Sequence, residues 1–304
     1  MISTQDLIRL IRGPVAVAEP LAPYTGIRIG GTADFFVKPK DRSDLSRAFG
    51  FFKGLGFPFF ILGRGHSLLV SDKGFRGAVI ATHFLDRIAI DGDIVEADAG
   101  VPVPMLLERS LQASLGGMEQ LESLPGTVGG ALRRNAGIAG RRILDHVEWV
   151  DILRNGRVKR LKNRELSTAD QAQVVEADVI LGAGFRMKKL SAKEKQSARK
   201  ALEVARIDRA SEQARPAAAT GRVFRIPGDA TDAHGTSAGN LIEACGFRGK
   251  RLGGASISEV DANTIVNDGC ATSGDVLELA RLAREEVHSR FGVALELDLT
   301  LVGY

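Results

Sequence analysis

Cysteine and the large aromatic residues are scarce in this 304-residue sequence, which has two cysteines, one tryptophan and two tyrosines. Cys245 and Cys270 are too few for a disulfide framework, and neither they nor the histidines show metal-ligand spacing. We therefore expect reduced thiols and no bound metal. Few side chains are available to stack on bases, so a nucleic-acid partner is not expected.

Long apolar runs are absent as well. No stretch reaches the roughly 18 apolar residues of a membrane-spanning helix. The first residues, MISTQDLIRL, carry acidic and amide groups where a secretion signal has basic and then apolar ones. We expect a cytoplasmic protein without membrane insertion. The 41 basic and 37 acidic residues give a net charge of +4, which favours a small anionic partner such as a phosphorylated molecule.

The first part of the chain predicts two α+β segments. Residues 1–80 contain an amphipathic start, a helix from Arg42 to about Leu55 and the buried strand PFFILG. Residues 81–190 alternate short strands with one helix, from Pro104 to Gln112. Both segments are expected to share one ligand.

The remaining chain predicts a connecting helix and a third segment. Residues 191–216 are rich in charged helix formers, and residues 217–304 contain predicted helices near 238–245 and over 273–291. A closing strand is predicted for ALELDLTLVG. The last helix has apolar residues at helical spacing, namely Val276, Leu279, Ala280, Ala283 and Val287.

Two glycine-rich turns are the strongest chemical signal. LPGTVGGALRRNAGIAG, Leu124–Gly140, can expose successive backbone N–H groups to an anion because glycine lacks the Cβ that would block close approach. ILGRGHSLLVSD, Ile61–Asp72, follows an apolar strand and supplies a second such turn. Neither has the spacing of a P-loop or of a Rossmann fingerprint. The pair therefore predicts a diphosphate-binding site of another type.

Five ordered segments resemble the UDP-N-acetylenolpyruvoylglucosamine reductase family, within the vanillyl-alcohol-oxidase-type FAD superfamily. They are TGIRIGGTADFFVKP, ILGRGHSLLVSDKGFRGAVI, LPGTVGGALRRNAGIAG, SAGNLIEACGFRGKRLGGASISEVDANTIVN and FGVALELDLTLVG. The resemblance implies an α+β protein with a two-lobed FAD-binding region and a C-terminal α+β domain that binds the substrate. The FAD contacts that it implies are Gly63, Gly65, His66, Ser67, Leu68, Gly126, Thr127, Asn135, Ala136 and Gly137.

The resemblance also implies a reaction. NADPH reduces FAD, the flavin delivers hydride to the enolpyruvyl group of a UDP-sugar, a carboxylate stabilises the enol and a serine supplies a proton. The implied product is a precursor of peptidoglycan, and cell-wall synthesis proteins are the implied macromolecular partners. Four further residues are candidates for substrate binding: Arg215, Arg225, Asn240 and Glu243.

The catalytic positions depart from the family pattern. In GRVFRIP, Arg222 stands at the serine position, and Ile226 stands where an asparagine is usual. In LELDL, Asp298 stands at the glutamate position and is one methylene shorter. Asp261 replaces a family histidine, and the segment LSTADQAQVVEADVILG lacks the family's arginine element. We therefore expect FAD binding with reductase activity in doubt.

Two alternatives from other classes stay open. The first is a flavin-dependent oxidase or dehydrogenase that acts on another substrate, since His66 in GRGHS resembles the histidine that some superfamily oxidases join covalently to the flavin. The second is a non-catalytic protein that binds FAD or a UDP-sugar and regulates cell-wall synthesis. For His66, an ordinary hydrogen-bonding role beside the diphosphate turn is the simpler interpretation.

Overall fold

The computed structural model describes residues 2–138, 140–163, 179–212, 218–226 and 237–304. The α-helices are α1 (Thr4–Leu10), α2 (Arg42–Gly54), α3 (Val103–Gln112), α4 (Val128–Arg133), α5 (Ala192–Glu212), α6 (Ala238–Ala244) and α7 (Ser273–Phe291). Helices were predicted at the positions of α2, α3, α5, α6 and α7, whereas α4 lies inside the predicted glycine-rich turn.

The strands are mostly short. They are β1 (Val15–Pro20), β2 (Thr32–Val37), β3 (Phe59–Leu62), β4 (Leu68–Val70), β5 (Phe75–Ala81), β6 (Ile88–Asp91), β7 (Ile94–Asp98), β8 (Leu115–Gly116), β9 (Gly137–Ile138), β10 (Arg141–Arg142), β11 (Val147–Arg154), β12 (Arg157–Lys162), β13 (Val179–Arg186), β14 (Lys188–Lys189), β15 (Phe224–Arg225), β16 (Arg251–Leu252), β17 (Ala255–Ile257), β18 (Ile265–Asn267), β19 (Glu296–Leu297) and β20 (Thr300–Val302).

The chain forms two compact units. Unit 1 comprises Met1–Val17, Phe35–Arg64 and Gly77–Ala210, and unit 2 comprises Ala18–Asp34, Gly65–Arg76 and Ser211–Tyr304.

Unit 1 is built on an antiparallel sheet of order β12-β11-β13-β7-β6. Apolar side chains of α3 and α4 join this sheet in one core, which includes Leu106, Leu132 and Phe185. A second core packs α1 and α2 with β3 and β5, which pair in parallel. α2 begins where the Asp41 side chain accepts a hydrogen bond from the Asp44 N–H (2.9 Å), which satisfies one otherwise unpaired donor of the helix end.

Unit 2 surrounds α6 and α7 with short strand pairs. β16, β17 and β18 form an antiparallel sheet, β15 pairs with β19, and β20 pairs in parallel with β4. A capping box of Thr272 and Asp275 starts α7, and Gly292 ends it with φ 67°. The five residues predicted to form its inner face are all buried in the core of unit 2.

The closing strand differs from the prediction. ALELDLTLVG forms two strands, β19 and β20, because the segment changes its pairing partner at Asp298 and Leu299. Upstream of Asp298 the chain pairs antiparallel with β15, and downstream of it the chain pairs parallel with β4. Asp298 therefore stands at the point where one ladder ends and the other begins.

Candidate functional site

Unit 1 contains a cavity of about 200 Å³ beside the ends of two neighbouring strands. Because β3 and β5 are parallel and pair Leu62 with Ala81, the residues that follow them, Gly63 and Thr82, lie at the same edge of the sheet. The Thr82 N–H and hydroxyl both donate to the Leu62 carbonyl, at 2.9 and 3.2 Å. The cavity is lined by Gly63, Arg64, Thr82, His83, Asp86, Gly100, Pro102, Met105 and Thr127.

The predicted loop 124–140 reaches this cavity through Thr127. The Thr127 Oγ1 caps α4 by accepting a hydrogen bond from the Gly130 N–H at 3.3 Å. A Cβ on Gly63 would lie 3.0 Å from Thr127 Oγ1, so the two predicted turns meet at a glycine. Gly126 has φ +108°, and no atom lies within 4 Å of where its Cβ would be. Bare backbone beside open space fits the close approach of a ligand.

The last residues of the same loop do not line the cavity. Asn135, Ala136 and Gly137 follow α4 and are not among the residues that line the cavity. Asn135 adopts φ 43° and donates its N–H to the Leu132 carbonyl, while a Cβ on Gly137 would overlap the Arg141 carbonyl oxygen. Within unit 1 these residues form the turn into the β9-β10 hairpin.

Several lining residues were not predicted from the sequence, namely Arg64, Thr82, His83, Asp86, Gly100, Pro102 and Met105. A signal for the first four was present, because PFFIL and FRGAVIA are both strand-like runs followed by small or polar residues. The sequence does not reveal that β3 and β5 pair in parallel. This pairing brings the ends of the two strands together, and no local pattern predicts it.

The residues from Gly65 to Leu68 form a tight turn in unit 2. Gly65 has φ +67°, and a Cβ there would overlap the Tyr24 carbonyl oxygen. Its own carbonyl accepts from the N–H groups of Gly26 (3.1 Å) and Leu68 (3.2 Å). His66 Nδ1 is 3.3 Å from where a Cβ of Gly26 would be, so the imidazole packs against that glycine.

Two other segments of unit 2 are hydrogen-bonded to this turn. The Gly221 N–H donates to the His66 carbonyl at 2.7 Å, and the Thr300 N–H donates to the Ser67 carbonyl at 2.8 Å. Arg222 and Asp298 are close neighbours of Gly221 and Thr300 in the chain. The two positions that depart from the family's catalytic pattern are therefore anchored at the predicted cofactor turn.

Arg222 and Asp298 form an ion pair. Arg222 Nη2 lies 3.6 Å from Asp298 Oδ2, and the exposed fractions of the two side chains are 65% and 12%. The Asp298 N–H donates to the Val223 carbonyl at 2.7 Å. This hydrogen bond holds the backbone of Asp298 next to the residue that follows Arg222. The mostly buried carboxylate of Asp298 is thus paired with the exposed guanidinium of Arg222.

Asn263 holds the segment that follows Arg222. Its Oδ1 accepts from the Phe224 N–H and its Nδ2 donates to the Phe224 carbonyl, both at 2.8 Å. Asp261, at the family's histidine position, shapes this turn by accepting from the Asn263 N–H (3.0 Å) and the Thr264 hydroxyl (2.8 Å). No local sequence pattern singles out Asn263, because its partner lies 39 residues away.

The predicted substrate residues are spread over unit 2. Arg225 is paired with Glu296 at 3.0 Å, Glu243 is paired with Arg248 at 2.5 Å, and Asn240 is exposed in α6. Arg215 lies outside the described residues, as does most of the segment LSTADQAQVVEADVILG.

Other titratable groups fit structural roles. Burial raises the pKa of the Cys245 thiol, which keeps it protonated, while Cys270 is exposed. A groove of about 350 Å³ between α3 and α5 is lined by Arg206, which is engaged with Glu122 (2.7 Å) and Glu108 (3.2 Å). Over the described ranges, no group of histidine, cysteine and acidic side chains is arranged to hold a metal ion. Nor does any helix of the described chain have the length and apolar character to cross a bilayer.

Comparison with known proteins tests the resemblance. An FAD binding domain matches residues 33–162, and the C-terminal domain of UDP-N-acetylenolpyruvoylglucosamine reductase matches residues 213–302. The reductase of Chloroherpeton thalassium is 38% identical over 100% of this chain and 98% of its own length. A protein named UDP-N-acetylenolpyruvoylglucosamine reductase 2, from Symbiobacterium thermophilum, is 37% identical over 99% of this chain and 96% of its own.

A solved structure extends the likeness to the fold. The crystal structure of UDP-N-acetylenolpyruvylglucosamine reductase from Thermus caldophilus matches with a TM-score of 0.74 and 27% identity, over 96% of this chain and 99% of that one. The predicted fold class, an FAD-binding region followed by a C-terminal α+β domain, is confirmed. Together, the two domain matches and the full-length relatives establish that this chain belongs to the UDP-N-acetylenolpyruvoylglucosamine reductase family.

Proposed function

We propose that this protein binds FAD and a UDP-sugar, takes electrons from NADPH, and reduces the enolpyruvyl group of its family's substrate slowly or not at all. The names of its relatives support the substrate class. The proposal separates cofactor binding, for which the residues present fit, from catalysis, for which two side chains differ from the family pattern.

The fit to FAD rests on the cavity of unit 1. Gly63 and Thr127 line it, and the backbone at Gly126 is open to a ligand. We assign Gly63, Gly126 and Thr127 to the nucleotide, as the glycine turns of the sequence predict. Gly65, His66, Ser67 and Leu68, and Asn135, Ala136 and Gly137, remain proposed contacts on the strength of the resemblance. Bound FAD would supply hydride transfer, which protein side chains cannot perform.

The observation that carries the doubt about catalysis is the Arg222–Asp298 ion pair, at 3.6 Å. A guanidinium has five N–H donors and stays protonated in proteins, so Arg222 cannot release a proton at neutral pH as a serine hydroxyl in a polarised site can. The ion pair thus places a group that cannot donate a proton at the serine position, next to the carboxylate at the glutamate position.

The same pair is compatible with substrate binding. Arg222 and Arg225 are both well exposed, at 65% and 63%, and an exposed guanidinium suits a carboxylate or a diphosphate. We propose that Arg225, Asn240, Glu243 and Arg215 contribute to UDP-sugar binding. The protein can then bind the UDP-sugar without reducing it.

The test is a two-step measurement on the purified chain. A visible spectrum establishes whether FAD is present. NADPH oxidation is then followed with and without UDP-N-acetylenolpyruvoylglucosamine. We expect bound FAD, little sugar-dependent NADPH oxidation, and binding of the sugar by calorimetry. Rapid NADPH oxidation that depends on the sugar would overturn the catalytic part of the proposal, and a colourless protein that does not take up FAD would overturn the cofactor part.

A further inference from the structure

The cavity of unit 1 has a positively charged rim that the glycine turns do not explain. Arg64 and His83 both line it, and both are exposed. Lys38 lies close enough to act electrostatically on His83, as Arg64 does. Asp86 is the acidic member of the lining. Lys38 and Arg64 thus act on an imidazole at a cavity whose lining holds one carboxylate.

The interior of the cavity suits an oxyanion. Thr127 presents a hydroxyl group, and Gly63 lines the wall without a side chain. The Thr127 Oγ1 accepts from Gly130 and therefore keeps its own O–H available for donation. At about 200 Å³ the cavity is smaller than the roughly 300–1,000 Å³ of sites for whole drug-sized ligands, so it holds a part of a dinucleotide.

We propose that Lys38, Arg64 and His83 bind the phosphates of the nucleotide half of FAD at this cavity, and that His83 strengthens the binding as the solution becomes more acidic. The inference deepens the proposed function and rests on its FAD-binding part. The ligand chemistry is that of a nucleoside diphosphate, and the flavin ring is not required for it.

Electrostatics determine the direction of the pH effect. Partial desolvation, followed by the positive charges of Lys38 and Arg64, lowers the pKa of His83 below its usual 6.5. At neutral pH the imidazole is therefore mostly uncharged. A bound diphosphate supplies negative charge and favours the protonated form. Binding then takes up a proton, and if the pKa rises by one unit, the affinity gain at low pH is about tenfold.

The experiment titrates the flavin-depleted full chain with FAD, ADP and riboflavin by calorimetry at pH 7.5 and pH 5.5. ADP carries the phosphates without the flavin, and riboflavin carries the flavin without phosphates. We expect Arg64→Gln to weaken FAD and ADP by about tenfold and to leave riboflavin unchanged. His83→Gln should remove the pH dependence of the FAD and ADP affinities. His83→Lys should bind FAD tightly at both pH values.

A matched control is Arg157→Gln, which removes an exposed arginine of β12 that is not among the cavity residues. It should bind FAD and ADP like the wild type. Circular dichroism checks that each variant is folded, and Arg64→Lys, which keeps the charge, should recover most of the ADP affinity.

The outcomes separate the inference from the proposed function. If FAD binds but Arg64→Gln and His83→Gln bind FAD and ADP like the wild type, the assignment of phosphate binding to these residues is wrong and the FAD proposal stands. If ADP binds through Arg64 but no flavin binds, that assignment is right and the FAD proposal fails. If neither FAD nor ADP binds, both are wrong.

Discussion

The cavity of unit 1 and the Arg222–Asp298 pair of unit 2 represent two ways of building a site. The cavity relies on the absence of side chains, because Gly63 lines it and the backbone of Gly126 lies beside open space. The pair relies on two particular side chains. A site made of backbone survives most changes elsewhere in the sequence, whereas a site made of side chains is altered by one substitution. This difference explains how a chain can keep the family's cofactor turns and depart at its catalytic positions.

Changing Arg222 tests the side-chain half of the comparison and has the largest expected effect. Arg222→Ser restores a hydroxyl that can transfer a proton and frees Asp298 from its cation. We expect sugar-dependent NADPH oxidation to rise by about 10²-fold or more, the usual contribution of a positioned general acid. Adding Asp298→Glu restores the missing methylene, and a correction of about 1 Å is worth up to about a further hundredfold.

Arg222→Ala is the matched control for that measurement. It removes the same cation without supplying a hydroxyl, so the rate should stay near that of the wild type. If alanine activates the enzyme as well as serine does, the arginine acts by obstruction and the proposed role of the hydroxyl is wrong.

Asn263 tests how the side-chain site is held. Asn263→Ala leaves the N–H and the carbonyl of buried Phe224 without their side-chain partners. We expect the free energy of unfolding, measured in urea, to fall by about 3 kcal/mol. Asn240→Ala, on exposed α6, should change it by less than about 0.5 kcal/mol. Equal effects from the two variants would mean that water replaces the lost hydrogen bonds.

Gly126 tests the backbone half of the comparison. Gly126→Ala places a Cβ in the open space beside Thr127 and forces an L side chain into a φ of +108°. FAD affinity should fall by about tenfold, as judged by quenching of flavin fluorescence. Gly156→Ala imposes similar backbone strain at φ +73°, also in open space, at the β11-β12 turn. It should bind FAD normally, and a loss as large as that of Gly126→Ala would assign the effect to backbone strain in general.

The stability of unit 1 is expected to depend on pH through the carboxylate of Asp44. Burial acts to raise the pKa of Asp44, but hydrogen bonds from the backbone N–H groups of Lys40, Arg12 and Gly13 and from Arg47 lower it overall. A lowered pKa stabilises the fold above the unfolded value of 3.8 and ceases to do so as the pH falls through the folded value. Unit 2 also joins its segments through the uncharged amides of Asn263 and Asn267, which do not titrate.

We therefore expect the free energy of unfolding to decline below about pH 4, and Asp44→Asn to lower it by about 2 kcal/mol at pH 7 and to flatten the decline. Asp91→Asn, at an exposed position of β6, is the control and should leave the acid profile unchanged. If Asp44→Asn keeps the wild-type acid profile, Asp44 does not govern the response of unit 1.

Local patterns predicted local structure well. The bounds of α7 and its buried face followed from helical spacing, and α2 ended within a residue of its predicted end. The two glycine turns meet at Gly63 and Thr127, as a shared diphosphate site requires. Pairings between distant segments were not accessible in this way. Three features depend on which strands become neighbours, namely the change of partner at Asp298, the placement of Gly63 and Thr82 at one edge of the sheet, and the contact of Asn263 with Phe224. The alternation of apolar and polar residues does not determine which strands pair.

The parallel pairing of β4 with β20 has a consequence for the order in which the protein can form. About 230 residues separate Leu68 from its partner Thr300. At roughly 5–20 residues per second, a ribosome needs on the order of 10 to 50 seconds to make the chain between them. During that interval β4 lacks its partner strand, and exposed strand edges invite association with other chains. The turn that holds His66 is thus among the first segments to be synthesised and among the last to be completed.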